Sequence, residues 1–440
     1  MNRNEWIEYQ RQLPKIDTHE HFSPEEWAVR ADTDIFDALL TPYNCDTMWT
    51  AGCSRQEWAM LMDKKAPFEQ RYKILEKYLP LIRYTAFFRA VEKTLELEFE
   101  EKDLSCEALL RADSRLKQQR KQGYYKKILD SLNIETVFCC SGYSCASLYK
   151  DPRVRFIPTV SEILPRNRSD LLKLETIAGI HIVNLETCLR AVDALFEKYI
   201  SSGVCAVKFG SAYRRTLLFE NPDYQSAEHQ LNNILNLHMM GDAKSNGSKE
   251  PCRQYEELTA LDDYLTDYIL MLSEKFNLTV IFHVAMHAWN ENDPERAHAH
   301  YLCNLIQKYS NVKFVLLHTG APFFEEAVLL ARYYANVYLD LTWFHIISPD
   351  LVRQAVIRIL ELVPVNKIFA FGGDYCYLET LPGHLEMAME NYAEVFCYIC
   401  GKEICTEDQA KEILYKWYFE NPKKIFRIKK ENQKKEEHQE

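Results

Sequence analysis

Residues 15–22 read K-I-D-T-H-E-H-F, the stretch on which the fold turns. Pro14 just upstream and the β-branched Ile16 predict a short strand opening here. Residues two apart in a strand share a face, so His19 and His21 are expected side by side. Two imidazoles held that way chelate a divalent transition metal. The strand then stops, because Ser23-Pro24-Glu25-Glu26 is a helix start. Ser23 is expected to cap, Pro24 to take the first helical position and Glu26 to close a capping box. The two histidines therefore fall at the C-terminal end of a strand. One H-x-H pair alone also fits ordinary core or surface histidines, so the other strand ends decide.

Seven more short apolar runs follow: residues 134–140, 154–160, 204–209 (VCAVKF), 278–284 (LTVIFHV), 312–318 (VKFVLLH), 336–342 (NVYLDLT) and 367–374 (KIFAFGGD). Helical patterns separate most of them. One runs to about Ile200. Another carries Leu258, Leu261, Leu265, Ile269, Leu272 and Phe276 at amphipathic spacing, and others cover 296–309, 322–334 and 349–362. Two closing helices reach about Phe426. Apolar strands alternating with helices imply a parallel sheet covered on both faces. Eight of them favour an α/β fold closed as a (β/α)8 TIM barrel over an open doubly wound sheet. Residues 24–132 are a large helical insertion after strand 1, with Leu75, Leu79, Ile82 and Ala86 at helical spacing and Pro80 marking a boundary or kink. Barrel chemistry sits at the strands' C-terminal ends, so this insertion would rise from the same rim and could roof the site. The expected organisation is one barrel over 1–427, a mobile loop at 241–247 and a disordered polar tail at 428–440.

An apolar share of 47% over 440 residues supplies a large core. The net charge of −11 argues against a nucleic-acid partner. The first residues hold no apolar run, and nothing later approaches a membrane span, so a cytoplasmic protein is expected. The 14 cysteines sit largely within apolar runs, as Cys139, Cys140 and Cys205 do, and are read as buried thiols. Cys397-x-x-Cys400 has no second pair and is given no zinc or redox role.

The strand ends are polar: His19 and His21 on the first, Lys208 on the fourth, His283 on the fifth, His318 on the sixth and Asp374 on the eighth. Each has an ordinary explanation alone, but six such residues on one rim point to a shared metal site. This constellation resembles the amidohydrolase superfamily of metal-dependent hydrolases. The resemblance rests on D-T-H-E-H at 17–21, Lys208, His283, His318 and G-G-D-Y at 372–375, and N-P-x-x-x-F at 421–426 is similar to the end of its "amidohydrolase 2" branch. K-F-G-S-A-Y-R at 208–214 and A-N-V-Y-L-D at 335–340 resemble the amidohydrolase domains fused elsewhere to glutamine-synthetase-like domains. No such second domain fits in this chain. The resemblance implies a carboxylated lysine at Lys208 bridging two metals, with the strand-one histidines and an aspartate on one ion and His283 and His318 on the other. Branch members lacking the lysine use a single ion, so one ion or two both fit, zinc first, then manganese or iron.

Beyond the rim, Tyr213, Arg214 and Arg215 follow strand four, where an arginine fork suits a substrate carboxylate. His287, Trp289, Trp343 and His345 lie just past strands five and seven, where specificity groups would sit; Tyr213, Arg214, His287 and Trp343 are the expected substrate-binding set. His298-Ala299-His300 has the wrong spacing for a helix face and is read as surface. The expected activity is hydrolysis of an amide, lactone or ester in a small, carboxylate-bearing molecule by metal-activated water, with Asp374 as general base and acid. The alternative is a uronate-isomerase-like or decarboxylase-like relative. Uronate isomerases share the large insertion but normally lack the strand-four lysine. A scaffold on a retired barrel would not need the full ligand set. Monomer and homo-oligomer are both left open.

Overall fold

The computed structural model describes residues 1–160, 163–220, 223–236, 258–284, 286–290 and 292–428. The loop expected at 241–247, and the tail beyond residue 428, lie outside the described residues. Eight parallel strands appear among the described residues: β1 Lys15–Glu20, β2 Ile134–Ser141, β3 Val154–Pro158, β4 Ala206–Phe209, β5 Thr279–His283, β6 Lys313–Leu317, β7 Val337–Asp340 and β8 Ile368–Phe369. They form ladders β1-β2-β3 and β4-β5-β6-β7-β8. A parallel bridge between Thr159 and Lys208 joins the two ladders at one seam. At the other seam Thr18 N–H donates to Phe371 O (3.2 Å), Asp374 N–H to His19 O (2.8 Å) and His21 N–H to Tyr375 O (2.9 Å). The sheet is therefore closed into a barrel.

The regular part of β8 is two residues long, shorter than the run expected at 367–374. The cause is crowding between β7 and β1. A Cβ on Gly372 would lie 2.1 Å from Thr342 Oγ1, and one on Gly373 would lie 2.0 Å from Glu20 Oε1. Only glycines let the chain pass there and deliver Asp374, at φ +62°, to the rim. The carboxylates of K-I-D-T-H-E-H-F hold this segment. Asp17 Oδ1 accepts from His19 N–H and Gly373 N–H, and Glu20 Oε2 accepts from Tyr375 N–H at 2.7 Å.

Inside the barrel Ile16, Phe138, Ile157, Ala206, Ile281, Val315 and Phe369 pack together, and Phe419, Ile425 and Phe426 belong to the same cluster. Side chains alternate across a strand, so the inward position two residues beyond Ala206 is Lys208 and two beyond Ile281 is His283. An apolar layer thus supports a polar one.

Residues 25–131 form a succession of helices with their own core, including Ile35, Phe36, Leu75, Phe88, Leu95, Phe99 and Leu116. The first helix, Glu25–Arg30, is not capped by Ser23: Pro24 holds the cap position without a side-chain bond. Glu25 instead accepts from Gly123 N–H and Tyr125 N–H, which ties the start of the insertion to its end. Pro80 does not break its helix, which runs over Phe68–Ile82 with the proline in the last turn. The insertion docks on the barrel through Tyr43 and Phe87, stacked on Trp343 at 4.6 and 5.7 Å, and through the buried ion pair Arg120–Glu379. Where one helix was expected at 296–309, two 3₁₀ turns, Pro294–Ala297 and Ala299–Leu302, precede a short helix, Cys303–Lys308. His298 between the turns is extended, which interrupts the helix. Among the described residues the cysteines are free thiols, and no helix is long and apolar enough to cross a membrane.

Candidate metal centre

Five strand ends bring His19, His21, Lys208, His283, His318 and Asp374 to one point at the top of the barrel. His19 Nε2 and His21 Nε2 both lie 3.2 Å from Asp374 Oδ1, and His318 Nε2 lies 3.8 Å from Asp374 Oδ2. Lys208 Nζ is 3.1 Å from His19 Nε2, and His318 Nε2 is 3.1 Å from His283 Nδ1.

The outward nitrogens set the state of the inward ones. His21 Nδ1 donates to Cys140 O, His318 Nδ1 to Thr342 O and His283 Nε2 to Met286 O. A carbonyl oxygen only accepts, so these rings carry their proton on the outside and a lone pair on the inside. His283 and His318 then face each other lone pair to lone pair at 3.1 Å, and the His21 lone pair faces a carboxylate oxygen. Adding a second proton is disfavoured. Burial, then the neighbouring His318, holds His283 well below its usual pKa, and burial pushes His318 down to about 4. Acceptors crowded against acceptors in a dry site are costly unless a cation lies among them. The donor set therefore fits a divalent metal ion.

The remaining charges agree. Burial would raise the Asp374 carboxyl, but His19, whose Nε2 lies beside it, holds it well below the usual carboxylate range. Burial lowers the Lys208 ammonium, with Cys140 and Asp374 partly restoring it. His19 is also held well below its usual value, by burial and then by Lys208. Its outer Nδ1 meets the Cys140 thiol at 3.2 Å.

The rim opens into a cavity of about 530 Å³. Its walls include His21, Lys208, His283 and Asp374, with Tyr213 and Arg214 from the loop after β4, Trp289 from the loop after β5, Tyr43 from the insertion and Arg166 from the segment after β3. Tyr213 and Arg214 thus lie where the sequence suggested. His287 does not line this wall: its Nε2 donates to Ala212 O at 2.9 Å and braces the two loops against each other. Trp343 is buried beneath the insertion, edge-on to His318 at 5.3 Å, and supports the roof. Arg215 turns away to Asp263 and the carbonyls of Thr216, Leu218 and Thr259. His345 is buried behind the rim with Nε2 donating to Ala370 O. Sequence reasoning missed Tyr43, whose hydroxyl donates to Asp374 O, and also Arg166 and Cys140. Cys140 closes an apolar run just as the ligand-type residues do, and that was its available signal.

Residues 235–428 match a family model described as Amidohydrolase. Over 129 residues the chain is 30% identical to Protein fluG of Emericella nidulans, a stretch that is 29% of this chain and 15% of fluG. The chain thus spans a small fraction of that curated relative. Among solved structures, glucuronate isomerase from Caulobacter crescentus superposes with a TM-score of 0.76 at 15% identity, covering 97% of this chain and 94% of that one. Uronate isomerase from Thermotoga maritima gives 0.75 at 15% identity, covering 96% and 97%. A Lactobacillus casei protein described as a metal-dependent hydrolase gives 0.66 at 17% identity, covering 96% and 97%. Likeness at this identity speaks for the fold.

Proposed function

We propose that this chain is an amidohydrolase-superfamily enzyme, a metal-dependent hydrolase of a small carboxylate-bearing molecule, a reading supported by the family match over residues 235–428, the barrel fold and the strand-end motifs. The observation that carries the hydrolytic reading is Lys208, buried in the barrel with Nζ 3.1 Å from His19 Nε2. Uronate isomerases normally lack a lysine there.

His19, His21 and Asp374 would hold one ion, and Lys208, His283 and His318 a second. A divalent cation there, zinc first and manganese or iron next, lowers the pKa of water from about 15.7 toward 7 and polarises a carbonyl. Burial leaves Lys208 readier than a surface lysine to be an uncharged amine. Its nitrogen could then add CO2 and lose one proton, giving an anionic carbamate that would hold a cation where an amine would not. Asp374, held ionised, accepts the proton of the attacking water on its carboxylate and returns it to the leaving group. Tyr43 fixes the Asp374 backbone by donating to its carbonyl. Arg214 in the cavity wall orients a substrate carboxylate and Tyr213 shapes the space beside it, while Arg166, ion-paired with the buried Asp262, backs that wall. The insertion covers the rim and keeps bulk water from the reacting carbonyl.

A second reading, isomerisation of a uronate, is favoured by the insertion and by whole-length superposition on two uronate isomerases. Zinc-loaded protein assayed on N-acyl, γ-glutamyl, lactone and uronate compounds separates the two. Water-consuming cleavage, lost in Asp374→Asn, supports the hydrolase. Interconversion of uronates without cleavage sinks it in favour of the isomerase.

A further inference from the structure

The barrel rim uses one of the two H-x-H pairs in the sequence; the other is His298-Ala299-His300. His298 has φ −66° and ψ 122°, extended backbone, and His300 follows it inside the 3₁₀ turn Ala299–Leu302. The two rings lie 5.4 Å apart at 58°. Glu326, in the first turn of the helix Phe324–Tyr333 after β6, reaches between them. Its Oε1 is 2.7 Å from His298 Nδ1 and its Oε2 is 3.1 Å from His300 Nδ1. The His298 ring is pinned by stacking on Phe323 at 4.3 Å and 20°. One ligand atom from each of the three residues lies within 4.8 Å of the others. A second carboxylate, Glu295, stands 3.8 Å from His298 Nε2 on the outer side.

We propose that His298, His300 and Glu326 form a second divalent-metal site, one that zinc fits, separate from the barrel rim. Two imidazoles and one carboxylate are a donor set zinc accepts, leaving a fourth position for water. His300 is 51% exposed, so an ion and its water reach the site from solvent. For the ion to take up the Nδ1 nitrogens and the carboxylate, each neutral ring shifts its single proton from Nδ1 to Nε2, with no net loss of a proton. The ligands come from two elements: the loop between β5 and β6, and the helix that follows β6. Near its start that loop presents Ala288 and Trp289 to the rim cavity. An ion on Glu326 would clip the loop's far end to the barrel and hold that cavity wall.

The test uses the full chain, stripped with a chelator and titrated with zinc(II) by calorimetry, with bound zinc counted by elemental analysis. Wild-type protein should bind one equivalent more than either His300→Ala or Glu326→Gln. The rise in thermal midpoint on adding zinc should shrink in both. Equal stoichiometry and equal stabilisation in all three proteins would overturn the site, as would an extra equivalent seen only at millimolar zinc. Asp374→Asn separates this outcome from the rim: its zinc losses should leave the His300-dependent equivalent in place.

Discussion

His19–His21 and His298–His300 present the same residues at the same spacing, yet they are built differently: the first pair closes strand β1, and in the second an extended His298 leads into a 3₁₀ turn that carries His300. At the rim the outer nitrogens of His21, His283 and His318 are spent on backbone carbonyls, and lone pairs are forced inward onto one another and onto Asp374. At the periphery Glu326 accepts directly from both Nδ1 atoms, so protons alone satisfy the group. The rim is frustrated without a cation, whereas the outer cluster is content without one. Ligand type and spacing therefore select candidates, but the partner of the non-ligating nitrogen decides whether a metal is required or merely accepted.

If that contrast holds, chelation has the largest effect of all. Stripping the protein should abolish turnover, and zinc should restore it; turnover untouched by a strong chelator would break the assignment of the rim. Asp374→Asn comes next. It keeps the shape and one oxygen but removes the base, so turnover should fall about 10²–10⁴-fold with substrate binding largely kept. A near wild-type rate on the true substrate would exclude Asp374 as the proton carrier. Lys208→Ala should lose one rim ion while keeping the fold, since the apolar layer beneath it is intact. Short carboxylic acids that restore part of its turnover would support a carboxylated lysine. Full metal and full turnover would leave Lys208 as a wall residue only.

The rim was legible in the sequence because a ligand-type residue closes five of the eight apolar strands, as in VIFH at His283 and VLLH at His318. Barrel closure makes those ends converge, so six separate positions became one site. What was not legible depends on contacts between distant segments. Tyr43 lies 331 residues from the Asp374 carbonyl it binds, inside an insertion whose packing no local period reveals. Trp343 looked like a rim residue by position, but its backbone turns at φ +62° and puts the ring under Tyr43 and Phe87. The surface reading of His298 and His300 fits the exposed His300; what it missed is that both rings meet Glu326, which belongs to another element.

A smaller effect should separate the buried rings behind the rim from the outer ones. Burial pushes His345 down to about 4, below the value near 6.5 of an unfolded chain. Between those values the unfolded chain binds a proton that the fold refuses. The stability His345 contributes is thus complete above about pH 6.5 and is lost as pH falls toward 4. His345→Gln keeps a donor for Ala370 O without titrating. In urea unfolding of metal-free protein, it should lose on the order of 2 kcal/mol less than wild type between pH 7 and 5. An equal loss in both would place the acid sensitivity elsewhere.

The smallest effect concerns the loop that connects the rim to the His298–His300 cluster. Glu326 holds its far end, and near its start Trp289 N–H donates to Asp46 of the insertion at 2.6 Å. Trp289 lines the cavity, so this bond couples the roof to the substrate wall without touching the rim ligands. A hydrogen bond to a charged group contributes roughly 1.5–3 kcal/mol, and half-exposure of Asp46 puts this one at the low end. Asp46→Ala leaves a helix-favouring residue within Tyr43–Thr50 and removes the acceptor of Trp289, together with a long contact from the Cys45 thiol. KM should rise by about tenfold at most, with kcat and rim metal content unchanged. The zinc equivalent that depends on His300 should stay as well, because the loop's far end is held independently. A fall in kcat with KM unchanged would mean that the roof acts on the reacting groups themselves, so that rim and loop are a single mechanical unit.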